Sequence, residues 1–175
     1  MNGFELHKIT HSSSSQINMF ADAPCAWVSK YLFGNKDNFS VAAQVGVLTE
    51  SVVADVLCGG SFDTALEKAK KEFNHRNCLN VNEKELKRIE DIEPMALNAI
   101  EALEQYGKPE FEIDLVKGRK QKAIELLCRG ENFSIPVIGF IDFYYPEHGL
   151  VVDLKTTLRM PSEMSRSHNR QGAIY

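Results

Sequence analysis

The hydrophobic period of the chain changes once, at Lys108-Pro109, and that change limits the folds open to it. Before it, apolar residues recur at helical intervals; after it they alternate, or run in short blocks between turn residues. A helical half followed by a strand-rich half predicts an α/β fold of the α+β kind, with a mixed sheet of about four strands flanked by helices. A length of 175 residues with 43% hydrophobic content is enough for one core. The expected layout is therefore a single domain over 1–175: a mainly helical part (1–107), a strand meander (108–160) and a closing helix (161–175).

In "HSSSSQINMFADAPCAWVSKYLFG" the serine run can cap a helix. Ile17, Phe20, Trp27, Tyr31 and Leu32 recur at roughly helical intervals, and Pro24 divides the stretch into two short helices. "FSVAAQVGVLTESVVADVLCGG" reads as a mostly buried helix with Ser40 as N-cap and Gly59-Gly60 as its stop. "SFDTALEKAKKEFNHR" and the stretch from Asn82 to Tyr106 are amphipathic, with solvated charged faces, and Gly107 ends the second. Beyond Pro109, "EFEIDLVKG", "KAIELLCRG", "IPVIGFIDFYYP" and "HGLVVDLKTT" predict four strands in a meander. "PSEMSRSHNRQGAIY" predicts a helix opening at Pro161 or Ser162.

Several classes fall away. Cys25, Cys58, Cys78 and Cys128 stand far apart without a CxxC pair, so neither a zinc ribbon nor a dense secreted disulfide framework is indicated, and reduced thiols in a cytoplasm fit best. The start "MNGFELHKIT" is not an export signal, and no run of about eighteen apolar residues occurs, so neither secretion nor a membrane partner is expected. The net charge of -4 does not exclude nucleic acid. Residues 1–107 hold ten basic and fifteen acidic side chains, but 108–175 hold ten basic and nine acidic.

The chemistry concentrates in "VIGFIDFYYPEHGLVVDLKTT". With "PEHG" as the turn, Tyr145 faces Leu150, Tyr144 faces Val151, and Asp142 lies opposite Asp153. The strand period of two puts Asp153 and Lys155 on one face with Asp142, while Leu150, Val152 and Leu154 turn toward a core. Directly opposed side chains have β-carbons roughly 4.5–5.5 Å apart, where like charges repel. A divalent cation resolves that repulsion, since magnesium takes one or two carboxylates together with waters and substrate phosphate. Lys155 is then placed to hold an attacking water or to stabilise charge developing on a phosphate. An exposed hairpin with a merely polar outer face is the alternative.

Glu50 shares a helical stripe with Ala43, Gly46, Ala54 and Leu57, so its carboxylate is expected to be partly buried. It then needs a cation, a hydrogen-bonding partner or a raised pKa, and a simple ion pair with a lysine is the alternative. Gln171 and Tyr175, four apart, project from one face of the last helix, where Arg166 and Arg170, with Arg159 just upstream, make the most basic short segment.

These pieces occur in an order that resembles the PD-(D/E)XK nuclease superfamily, specifically the RecB-like exonuclease branch of bacteria and their phages. "SSSQINMFADAPCAWVSKYL" is similar to that branch's N-terminal S-x-S-x-L-x-x-F…C-P-x-x-(F/W)…Y-L segment, and "GVLTE" to its G-x-x-x-(H/E) helix. "GFIDFYYPEHGLVVDLKTT" is similar to G-x-(I/V)-D followed by (V/I)-D-x-K-T, and "QGAIY" to Q-x-x-x-Y. The resemblance covers nearly the whole chain and implies a restriction-endonuclease-like core. It implies Mg2+ or Mn2+ held by Asp142, Asp153, the carbonyl of Leu154 and Glu50, a catalytic Lys155, and Gln171 and Tyr175 flanking the site. Some relatives carry an iron-sulfur cluster on one cysteine near Cys25 and three beyond Q-x-x-x-Y. With "APCAW" in place of C-P and no sequence after Tyr175, no such cluster is expected, and Cys25 reads as a packed helix cysteine.

The expected function is metal-dependent hydrolysis of DNA, as an exonuclease in recombination, repair or phage replication, in a bacterial cytoplasm or that of a phage host. A helicase or recombination partner is compatible with it. Phosphate contacts would come from Lys117, Arg119, Lys120, Arg159, Arg166 and Arg170. No recognition helix or zinc module predicts sequence-specific readout. The alternatives are a non-catalytic DNA-binding or assembly module retaining the nuclease fold, and a helical adaptor that binds a protein through Asn82–Tyr106.

Overall fold

The computed structural model describes residues 3–35, 40–113, 120–126, 135–157 and 161–175, with the backbone alone at 112–113 and 120–126. Its helices are α1 (Gly3–Leu6), α2 (Ser14–Asp22), α3 (Pro24–Trp27), α4 (Val41–Leu57), α5 (Phe62–Arg76), α6 (Glu83–Leu86), α7 (Ile92–Leu103) and α8 (Arg166–Ile174). Its strands are β1 (Glu112–Ile113), β2 (Lys120–Leu126), β3 (Val137–Ile141), β4 (Phe143–Tyr145) and β5 (Leu150–Val152). This is an α+β arrangement. The chain divides into two compact units of interleaved segments, one from Met1–Asn38, Ala123–Ile141 and Met160–Tyr175, the other from Phe39–Lys122 and Asp142–Arg159.

In the first unit, the Ser13 hydroxyl caps α2 by accepting from the Gln16 amide at 3.3 Å. Pro24 opens α3 at a position whose amide has no helical partner, so the break between the two helices falls where the sequence predicts it. Past α3 the chain makes a π-helical turn, Val28–Leu32, and Trp27 packs edge-on against Phe20 and tilted against Tyr31, with ring centroids 5.4 and 5.6 Å away. The helix expected to open at Pro161 or Ser162 starts later. Residues 161–165 are exposed and bury no apolar face to offset the entropy of ordering them, whereas the Ser165 hydroxyl accepts from the His168 amide and starts α8 at Arg166. Asn18 donates to the Ser167 carbonyl at 3.1 Å, and Arg170 reaches both carboxylate oxygens of Asp22 at 2.8 and 3.1 Å, tying α8 to α2. β3 buries Val137, Gly139 and Ile141 in strict alternation and forms a parallel bridge with Ser12.

The second unit is built around α4. Its many valines are mediocre helix formers, yet the helix runs from the Ser40 cap to Gly59, where φ is +93°. Burial overrides propensity here: Val45, Leu48, Val52 and Val53 are all 2% exposed or less. Each such side chain contributes on the order of 1.5–3 kcal/mol. They share one cluster with Ala65, Leu66, Ala69 and Phe73 of α5, Ile92, Ala96 and Leu103 of α7, and Phe143 and Tyr145 of β4. Buried Asn77 donates to the Gln44 side chain and to the Phe73 carbonyl, both at 2.8 Å, and fixes the end of α5 against α4.

Two expectations need correction. The stretch from Asn82 to Tyr106 is not one long helix. Asn82 caps α6, a 3-10 segment covers Lys87–Asp91, and α7 starts at Ile92. Pro94 lies in the first turn of α7, the one place a helix tolerates it; a continuous helix would set its ring against the Glu90 carbonyl. Among the described residues, moreover, the strands do not form one sheet of four. They form a three-stranded sheet in the order β1-β2-β3 and a separate antiparallel pair β4-β5, and the run read as one strand through "VIGFIDFYY" breaks at Asp142.

Candidate functional site

The β4-β5 hairpin has the register expected from its turn: Phe143 pairs with Val152, Tyr144 with Val151 and Tyr145 with Leu150. A 3-10 turn over Pro146–His148 and a left-handed Gly149, φ +57°, close it. Phe143 and Tyr145 are buried, and Leu150, Val152 and Leu154 pack on the same core. Asp142 and Asp153 follow as the next facing positions, just past the last ladder pair.

At that point side chains take over from the backbone ladder. Asp142 is 7% exposed, and its Oδ2 accepts from the Leu154 amide at 2.8 Å, one residue beyond its facing partner. Asp153 is ion-paired with Lys155. The two facing carboxylates are thus each compensated, Asp142 by a main-chain donor and Asp153 by an ammonium. A cation at Asp153 would have to compete with Lys155, and in doing so would release it.

The donors are hard oxygens on adjacent segments, which suits magnesium or manganese. The pair fits such an ion in chemistry and in register. Glu50 is half-buried on α4, as its stripe predicts, but among the described residues no three His, Cys, Asp or Glu side chains gather closely enough to form a metal cluster. Gly46, one turn before Glu50, approaches the other end of the segment: a β-carbon on it would lie 3.0 Å from the Thr156 hydroxyl.

Gln171 and Tyr175 do meet. Gln171 Nε2 donates to the Tyr175 hydroxyl at 2.8 Å, and that hydroxyl donates to the Phe140 carbonyl at 3.0 Å. Phe140 precedes Asp142 by two residues in the chain. Arg166 is exposed, whereas Arg170 is committed to Asp22. Lys117, Arg119, Arg159 and Cys128 lie outside the described residues, as does the side chain of Lys120. Cys25 is exposed, not packed, because α3 buries none of its four residues.

Two buried hydroxyls have no hydrogen-bond partner among the described residues: Thr49 on α4 and Tyr145 on β4. Burial pushes the Tyr145 phenol above its ordinary 10.0. Neither was legible in the sequence, since β-branched and aromatic residues at core spacing carry no mark of where their polar tips end. The Gly46–Thr156 approach had a weak signal, a glycine inside an otherwise strong helical pattern. No family model, curated protein or solved structure matches this chain.

Proposed function

We propose that the chain is a magnesium- or manganese-dependent deoxyribonuclease with a restriction-endonuclease-like core, cleaving DNA without sequence preference, as an exonuclease in recombination, repair or phage replication. The observation that carries this reading is the hairpin register, which sets Asp142 and Asp153 at facing positions and leaves Lys155 paired with Asp153. Such a pair of acids beside a lysine is costly to maintain and suited to phosphodiester hydrolysis.

In this reading Asp142 and Asp153 hold the ion, and Glu50 and the Leu154 carbonyl contribute. The bound ion supplies Lewis-acid polarisation of the phosphate and a water of lowered pKa. Asp142 is aimed by the Leu154 amide, which also fixes the peptide between Asp153 and Lys155. Lys155, paired with Asp153 in the structure, would orient the attacking water or meet charge developing on the phosphate. Gln171 and Tyr175 brace the Phe140 backbone.

The test is incubation with manganese and linear, circular or single-stranded DNA, with Asp153→Ala as control. Linear or single-stranded DNA should be degraded in an EDTA-sensitive reaction that Asp153→Ala abolishes. Intact DNA with all three substrates, or equal cleavage by the variant, sinks the proposal; salt-sensitive binding without cleavage would point instead to a DNA-binding module.

A further inference from the structure

We propose that Gly46 is a positioning residue: lacking a β-carbon, it lets α4 seat directly against Thr156 and so sets the approach of Glu50 to the Asp153–Lys155 segment. Its functional part rests on the nuclease reading; the close approach itself does not.

Glycine inside a helix costs stability relative to alanine, so it needs a reason. Of the three helical glycines with described surroundings, Gly3 at the start of α1 and Gly172 of α8 differ from Gly46. A β-carbon on Gly172 of α8 would meet nothing within 4 Å, whereas one on Gly46 would meet a single atom, the Thr156 hydroxyl oxygen, at 3.0 Å. That atom belongs to a segment more than a hundred residues away in sequence, in the same compact unit. Gly60 is also tight, but against Asp55 of its own turn, which makes it a helix stop rather than a docking point.

The contact acts on the site through short rigid links. Thr156 is joined to Lys155 by one peptide bond. Glu50 stands one turn beyond Gly46 on the same side of α4, roughly 6 Å along the axis. α4 cannot yield, because Val45, Leu48, Val52 and Val53 anchor it in the core. A methyl group at position 46 therefore requires the Thr156 hydroxyl to give by a few tenths of an ångström, and a segment that moves with it carries Lys155 relative to Glu50. Shifts of this kind matter where reacting groups must be held in one geometry.

The experiment compares wild type, Gly46→Ala, Thr156→Ala and the double variant. Each is measured for melting temperature without metal, for the rise in melting temperature on manganese titration, and for kcat and KM on linear DNA. We expect Gly46→Ala to lose at least half of the manganese-induced rise and about tenfold in kcat at unchanged KM. The double variant, with the hydroxyl removed, should recover both, and Thr156→Ala alone should retain both. Without metal, the two substitutions should be non-additive in melting temperature, the double variant being the more stable than their sum. Should Gly46→Ala not fold, recovery of folding in the double variant is the same coupling. Additive metal-free effects, or a Gly46→Ala protein equal to wild type in metal response and kcat, overturn the inference. A wild type with neither manganese response nor cleavage overturns the nuclease reading, while the metal-free coupling still decides whether Gly46 seats Thr156.

Discussion

Replacing Tyr145 by Phe should stabilise the protein, although it deletes the polar tip of one of its most buried side chains. Tyr145 is 1% exposed and its hydroxyl has no partner among the described residues. A buried hydroxyl without a partner costs about 1–3 kcal/mol, and a phenylalanine keeps the ring and its 5.6 Å contact with Tyr106. Recovering the lower end of that range gives about 1 kcal/mol, or about 2–4 °C in melting temperature for a chain of this size. The pH dependence supplies a second reading. Burial raises the folded phenol above 10.0, so the unfolded chain ionises first. The stability tied to this group is complete below pH 10 and is lost as pH rises from there through the folded value. Urea unfolding of wild type and variant, with slopes compared, measures both effects. The advantage of Tyr145→Phe should widen above pH 10. A variant less stable than wild type by about 1 kcal/mol or more would mean the hydroxyl is bonded and the reasoning wrong.

The same logic applies to Thr49→Val on α4, which removes a hydroxyl at 0% exposure with no partner among the described residues; a gain of about 1 kcal/mol is expected in urea melts, and a loss of that size would refute it. Asp142→Ala should cost about 1.5–3 kcal/mol in metal-free unfolding by stripping the Leu154 amide of its acceptor, while Asp142→Asn keeps an acceptor and should cost less. Equal losses for the two would separate the Leu154 bond from stability. Tyr175→Phe removes the donor to the Phe140 carbonyl and should lower stability by about 1 kcal/mol, read by thermal melting; no change would show that the contact carries no energy.

The hairpin was legible because its information is local: a turn sequence sets the register, and a period of two sets the faces. The serine run that holds Ser13 was readable as a capping segment, Ser40 as a cap and Pro24 as a break, for the same reason. Legibility failed where one residue was answerable to distant ones. Alternation through "VIGFIDFYY" gives no sign that Asp142 will trade its place in a ladder for a side-chain bond to Leu154. Pro94 carried a usable signal that the apolar spacing around it outweighed. Thr156, the last residue of the D-x-K-T match, gave no sign that α4 would come to rest against it.

The segments of the first unit are also ordered in time. Asn18 bonds to a carbonyl 149 residues later in the chain, and Ser12 pairs with Val137, so α2 and the residues just before it are synthesised long before these partners. Loop closure over such spans grows only slowly in cost with length, but contacts this remote slow folding. Until Ser167 has left the ribosome, α2, with Phe20 exposed on it, has no α8 beside it. The second unit, in which α4 packs against both α5 and α7 within 63 residues of chain from Val41 to Leu103, can assemble most of its core in the meantime.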